Sequence, residues 1–182
     1  MQAQFSASST ARPSAAPEPR AGDAAREDGL EVLTFDLGRE TFALEAMLVR
    51  EVLDKSPETH VPGAAAFVDA VINFRGRIIP LADLRLAFGL PATGGSLDSR
   101  IIVIEFPLSG EATLIGLRAD KVFEVTTIRH AATEMAPRLG TRWRPEFIRC
   151  LAKRHDDIVV LPDLQRIFAI CGGAEAFHER ES

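Results

Sequence analysis

Apolar positions along the chain recur mostly with a period of two, in short stretches separated by polar breaks. Residues 31–37 (EVLTFDL) set Val32, Thr34 and Asp36 against Leu33, Phe35 and Leu37, the alternation of a half-buried strand. Gly38 and Arg39 make a turn, and residues 40–44 (ETFAL) return as a second strand. Residues 49–53 (VREVL) are a third, with Arg50 and Glu51 expected to face outward if Val49 and Val52 face in. Residues 70–74 and 77–81 flank a tight turn at Arg75 and Gly76. Residues 83–88 (DLRLAF) begin with a capping Asp83, keep helical apolar spacing, and stop at Gly89 and Pro91. A loop rich in Gly, Ser and Thr occupies 91–99.

The second half follows the same plan. Strands are predicted at 100–106, 113–117, 122–128, 147–153 and 158–161, with a polar turn at 154–157 and a closing short helix at 163–168 (DLQRIF). The halves also match position by position. Ile78, Leu81, Asp83, Leu84 and Phe88 meet Ile158, Leu161, Asp163, Leu164 and Phe168 at one constant offset, and Phe67 meets Phe147 at the same offset. Residues 49–52 (VREV) meet 122–125 (VFEV) at a slightly shorter offset, close to the one at which Gly38 meets Gly110. The drift in offset falls in loops, where insertions are tolerated. Two DLxxxF helices and two VxEV strands in the same order predict two similar half-barrels of about five short strands, at 30–93 and 98–170.

Composition sharpens this in three places. Residues 1–28 are rich in Ala, Ser, Pro, Arg and Glu and hold one aromatic, Phe5, so they are expected to form a disordered tail. The stretch 172–182 is polar and expected to fray, which leaves a folded unit at 29–171. The net charge of -5 opposes general nucleic-acid binding, which needs a positive surface. With no signal peptide and no apolar run of the roughly 18 residues that a membrane span requires, a cytoplasmic protein is expected. Cys150 and Cys171 allow one disulfide, but both sit beside apolar residues and read as two small buried thiols.

Catalytic patterns are missing. The histidines His60, His130, His155 and His178 form no pair at metal-ligand spacing, and none stands near a cysteine at zinc-site spacing. There is no GxSxG, P-loop or GxGxxG, and no serine of the folded part has a local base. Asp83 and Asp163 read as helix caps, and Asp156 and Asp157 as turn residues. Neither catalysis nor a metal or cofactor is therefore expected. One basic stretch, Arg138 to Arg154 with Trp143 inside it, supports a rival reading as a small β-barrel that binds single-stranded nucleic acid. It is set against 18 Arg and only 3 Lys in the whole chain, a bias that makes clustered arginines ordinary.

Residues 31–44, the VREV strand at 49–52, Val61-Pro62 and the run at 71–85 (VINFRGRIIPLADLR) together resemble the CheW-like domain, that of the coupling protein of bacterial chemosensory arrays. The family's N-L-R-G-x-x-x-P-x-x-D-L run is the most specific match. Here Phe74 takes the place of its Leu, Ala70 that of a Gly ahead of the strand, and Ala119-Asp120 that of a Val-Asp pair. The resemblance covers about residues 30–170. It implies a mostly β fold of two interlocked five-stranded SH3-like barrels with short helices, and no enzymatic activity. It also implies an adaptor between chemoreceptor cytoplasmic tips (methyl-accepting chemotaxis proteins) and a CheA-type histidine kinase. The binding residues carried over are Val49, Glu51 and Arg75, with Ala70 and Val125 as weaker matches.

Overall fold

The structure is a computed structural model that describes residues 29–92, 94–129, 133–134, 143–154 and 157–172. The expected tail at 1–28, most of the C-terminal end, His130, His155, His178, Arg138, Arg142 and Asp156 lie outside the described residues. Among the described residues, twelve strands form two six-stranded, mainly antiparallel sheets. In chain order they are β1 (Gly29–Leu37), β2 (Glu40–Glu45), β3 (Val49–Asp54), β4 (Thr59–His60), β5 (Ala70–Phe74) and β6 (Arg77–Ala82), then β7 (Arg100–Leu108), β8 (Glu111–Ala119), β9 (Lys121–Arg129), β10 (Thr133–Glu134), β11 (Ile148–Arg154) and β12 (Asp157–Pro162). Helix α1 (Leu84–Phe88) follows β6 and α2 (Leu164–Cys171) follows β12.

One sheet has the order β10-β11-β12-β2-β1-β9, the other β4-β5-β6-β8-β7-β3. The two-residue strands β4 and β10 aside, each has the five strands expected. The orders are the same once each half of the chain is aligned on the other. Each sheet takes a hairpin from one half (β1–β2 or β7–β8) and four strands from the other half, so the two units interlock. The parallel contact in each has the same register: Val159 pairs with Thr41, and Leu81 with Gly116. A β-bulge falls at the equivalent place in both, between Leu33 and Phe35 and between Val49 and Glu51.

Interlocking explains the apolar run at Ile101–Ile104. Strand β7 is covered on both faces, so alternation gives way to continuous burial, as in two-sided sheets. Ile101 and Val103 face a core with Ile72, Ile79 and Leu81, inside one barrel. Ile102, Ile104 and Phe106 face a shared central core with Phe35, Phe42 and Phe147. Val32, Ala43, Val159 and Leu161 fill the other barrel. Both helices begin on the capping aspartates: Asp83 accepts from the Arg85 N–H at 3.0 Å and Asp163 from the Arg166 N–H at 3.0 Å. Each cap also donates its own N–H to the carbonyl of an upstream phenylalanine, Asp83 to Phe67 (3.0 Å) and Asp163 to Phe147 (2.8 Å). The repeat seen in the sequence is therefore a repeat of hydrogen bonds.

Candidate functional site

The hairpin β5–β6 turns at Arg75 and Gly76, with φ of 52° and 82°. Two successive left-handed residues make the turn whose twist matches a two-residue hairpin, and Gly76 takes its place without a Cβ penalty. Asn73 closes the turn by accepting from the Gly76 N–H at 2.8 Å. Arg75 thus stands on a stiff tip, with its guanidinium 5.4 Å from the Phe74 ring centroid. Strand β3 is the far edge of the same sheet, and curling of the sheet brings it to this tip. Arg75 Nη2 donates to Glu51 Oε2 at 2.6 Å, with the arginine side chain 74% exposed and the glutamate 34%.

Two of the expected residues, Glu51 of β3 and Arg75 of the β5–β6 turn, are therefore joined. Val49 shares β3 with Glu51 and packs half-buried on the shared core. Ala70 is fully buried at the start of β5, so its side chain offers no surface to a partner and serves the barrel core instead. Val125 is 56% exposed on β9, in the other sheet. The outward placement expected for Glu51 is also corrected. The bulge at Arg50 breaks the period of two, so Val49 and Val52 lie opposite Ile104 and Ile102 on the side of the shared core, while Glu51 lies opposite Val103 on the barrel side. Val49, Glu51 and Leu53 are half-buried, while Arg50 and Val52 are exposed. Arg50 forms an ion pair with Glu105 of β7.

A second charged pair sits at the equivalent place in the other barrel. Arg154, at the β11–β12 turn, donates from Nη2 to Glu124 Oε1 on edge strand β9 at 2.9 Å. Glu124 is the counterpart of Glu51 in the VxEV match, a signal that the sequence already held. Exposed apolar side chains accompany both pairs: Val52 and Ile78 on one barrel, Val125 and Ile158 on the other.

Beside the first barrel lies a polar cleft of about 510 Å³. Its buried Arg85 donates to Asp83 (2.9 Å) and to Asp120 (3.0 Å). Asp120 in turn accepts from the Gly38 N–H at 2.6 Å, which ties the crossover between the sheets to the β1–β2 turn. Burial works against the Arg85 charge, yet the hydrogen bond and charge of Asp83, with Asp120, hold its pKa above the ordinary value. Arg118 behaves alike: burial opposes its charge and Glu58 and Asp69 outweigh it. These charges are mutually satisfied and structural in character.

In the basic stretch, Arg144, Arg149 and Arg154 are paired with Glu146, Glu45 and Glu124. The Trp143 indole donates to Glu40 at 2.7 Å and its half-buried ring packs against the shared core. Among the described residues no three His, Cys, Asp or Glu side chains cluster to hold a metal ion, and no helix is long and apolar enough to cross a membrane.

The chain is thus a pair of interlocked β-barrels, each with a charged pair on its edge strand. The CheW-like domain profile matches residues 31–170, and the chain belongs to that family. It is 27% identical over 140 residues to a chemotaxis protein CheW of Rhizobium meliloti, covering 77% of this chain and 88% of that one. To the CheW of Klebsiella aerogenes it is 25% identical over 141 residues, 78% of this chain and 82% of that one. Among solved structures it is similar to the scaffolding protein TtCheW from Thermoanaerobacter tengcongensis, with a TM-score of 0.69 and 33% identity over 79% of this chain and 95% of that one.

Proposed function

We propose that the chain is a non-enzymatic chemotaxis scaffold that couples chemoreceptors, at their cytoplasmic tips, to a CheA-type histidine kinase. The folded unit is residues 29–171, and it works on the cytoplasmic side of the receptor array. The observation that carries this reading is the Arg75–Glu51 pair: an exposed guanidinium held on a rigid turn against an edge strand. A planar guanidinium held in that way suits a partner carboxylate or carbonyl, because its fork is pre-oriented before contact. Val49 and Glu51 extend that surface along β3, Ala70 supports it from inside, and Val125 belongs to a separate surface on β9. Two surfaces on one interlocked body hold two partners in fixed geometry. A receptor shift then biases the kinase's conformational equilibrium through the difference in contacts between its states.

Binding of purified receptor tip and of kinase to Arg75→Ala tests this. The Arg75–Glu51 pair is exposed, and such pairs contribute about 0 to 1 kcal/mol to stability. The melting temperature should therefore stay near the wild-type value. Association with at least one partner should weaken about tenfold or more, since a desolvated contact of this kind exceeds about 1.4 kcal/mol. Wild-type affinity for both partners, or loss of folding, refutes the assignment.

A further inference from the structure

Each half of the chain contains all six strands of a barrel, yet neither half closes on itself. The hairpin β1–β2 leaves its own half and inserts between β12 and β9; β7–β8 inserts between β6 and β3. The hairpins are equivalent in register and in bulge position, so main-chain pairing does not distinguish them. Something in the side chains must.

Equivalent positions carry opposite charges. Glu45, on β2, pairs with Arg149 on β11. The parallel registers align Thr41 of β2 with Leu114 of β8, and the same alignment makes Arg118 the counterpart of Glu45. Arg118 bonds Asp69 at 3.0 Å and Glu58 at 2.7 Å. Asp69 is in turn the counterpart of Arg149, at the offset that aligns Phe67 with Phe147. The pair is thus present in both barrels with its sign reversed. Were each half to close on itself, Glu45 would meet Asp69 and Glu58, and Arg118 would meet Arg149. Both contacts become repulsive, and like charges facing across strands are destabilising.

Volumes run the same way. Gly116 of β8 lies against Ile72 and Leu81. The equivalent of Gly116 in the other barrel is Ala43, and that of Ile72 is Ala152; both are buried in one core. Exchanging the hairpins would press the Ala43 methyl toward Ile72 and leave a gap between Gly116 and Ala152.

We propose that the sign-reversed pairs Glu45–Arg149 and Arg118–Asp69 direct each hairpin into the barrel of the opposite half, selecting the interlocked fold over self-closure. The proposal is independent of the partner-binding reading. It predicts that E45R/R118E, which makes the interlocked contacts repulsive and the self-closed ones attractive, mispairs during refolding.

The test traps pairing during refolding of the full chain with a short bismaleimide, in a Cys150→Ser and Cys171→Ser background. Cysteines at Arg39 and Ile158 report the interlocked pairing, because β2 and β12 are neighbours there. Cysteines at Arg39 and Ile78 report self-closure, Ile78 being the counterpart of Ile158. In E45R/R118E the 39–78 product should rise at least tenfold over the wild type, and adding R149E, D69R and E58R, which reverses every partner of the two positions, should return it to the wild-type level. Leu84→Ala, which loosens the shared core without touching charge, should not raise it. The reading is overturned by an unchanged 39–78 yield in E45R/R118E, by no recovery in the fivefold variant, or by an equal rise in Leu84→Ala. Because trapping reads the collapsing chain, the result stands even for a variant that does not complete folding.

Discussion

Gly116→Ala isolates one close approach in the barrel core. A Cβ on residue 116 would lie 3.0 Å from Leu81 Cδ1, 3.1 Å from Ile101 Cγ2 and 3.3 Å from Ile72 Cδ1. All three neighbours are buried, at 0%, 3% and 1% exposure, so none can swing into solvent. Overpacking a tight core by one methyl costs about 1–3 kcal/mol. Replacing a strand glycine by alanine returns roughly 0.4–1 kcal/mol by reducing the freedom of the unfolded chain. The net loss expected is about 0.5–2 kcal/mol. Ile72→Val removes the Cδ1 atom nearest the new methyl on that side and by itself costs about 0.5–1.5 kcal/mol. The added methyl fills part of that space, so the double variant should be more stable than the sum of the two losses by at least about 0.5 kcal/mol. Urea unfolding of the four proteins, read as midpoint shifts at constant slope, measures the cycle. Additivity within about 0.3 kcal/mol, or a stabilised Gly116→Ala, would show that the core relaxes around residue 116 and that the contact carries no packing constraint.

Arg85→Ala should cost about 3–5 kcal/mol in the same assay, because it strands Asp83 and Asp120 without their buried counter-charge; a loss under about 1 kcal/mol would mean that water replaces it. Cys150 and Cys171 have thiol pKa values pushed up by burial, with Arg149 and Arg144 only partly opposing this. Folding therefore favours the neutral thiols, a stabilisation present below the ordinary thiol pKa and lost as pH rises through the folded values. Alkylation at pH 7 should be slower in the native protein than in urea, and equal rates would refute the shift. Removing residues 1–28 should leave the melting temperature within about 2 °C of the full chain, since that composition buries little apolar surface; a larger fall would place part of the folded unit before residue 29.

What was legible in the sequence follows from what a side-chain period can encode. Alternation reports which residues share a face, and turn chemistry reports where a strand ends, so the ten longer strands and both helices could be read in order. The two-residue strands β4 and β10 are too short to show a period. Period says nothing about which strand lies alongside. Ile101–Ile104 announces burial on both faces but not that one face looks into a barrel and the other into a shared core. In the VREV strand the two valines do share a face, but only because a bulge at Arg50 breaks the period of two, and no local pattern records that the same bulge leaves Glu51 half-buried on the barrel side. Arg75 was singled out by its turn and Glu51 by its motif, yet their ion pair depends on sheet curvature, which no local pattern records. Ala70 is buried because the same alternation that makes Asn73 exposed makes Ala70 and Ile72 internal. Partner choice between strands is instead written in single-residue differences between otherwise equivalent positions: Gly116 against Ala43, Ile72 against Ala152, Arg118 against Glu45. Those differences are visible once the two halves are aligned. They acquire meaning only when the fold shows that each is compared with its counterpart across the molecule, and not with its neighbour along the chain.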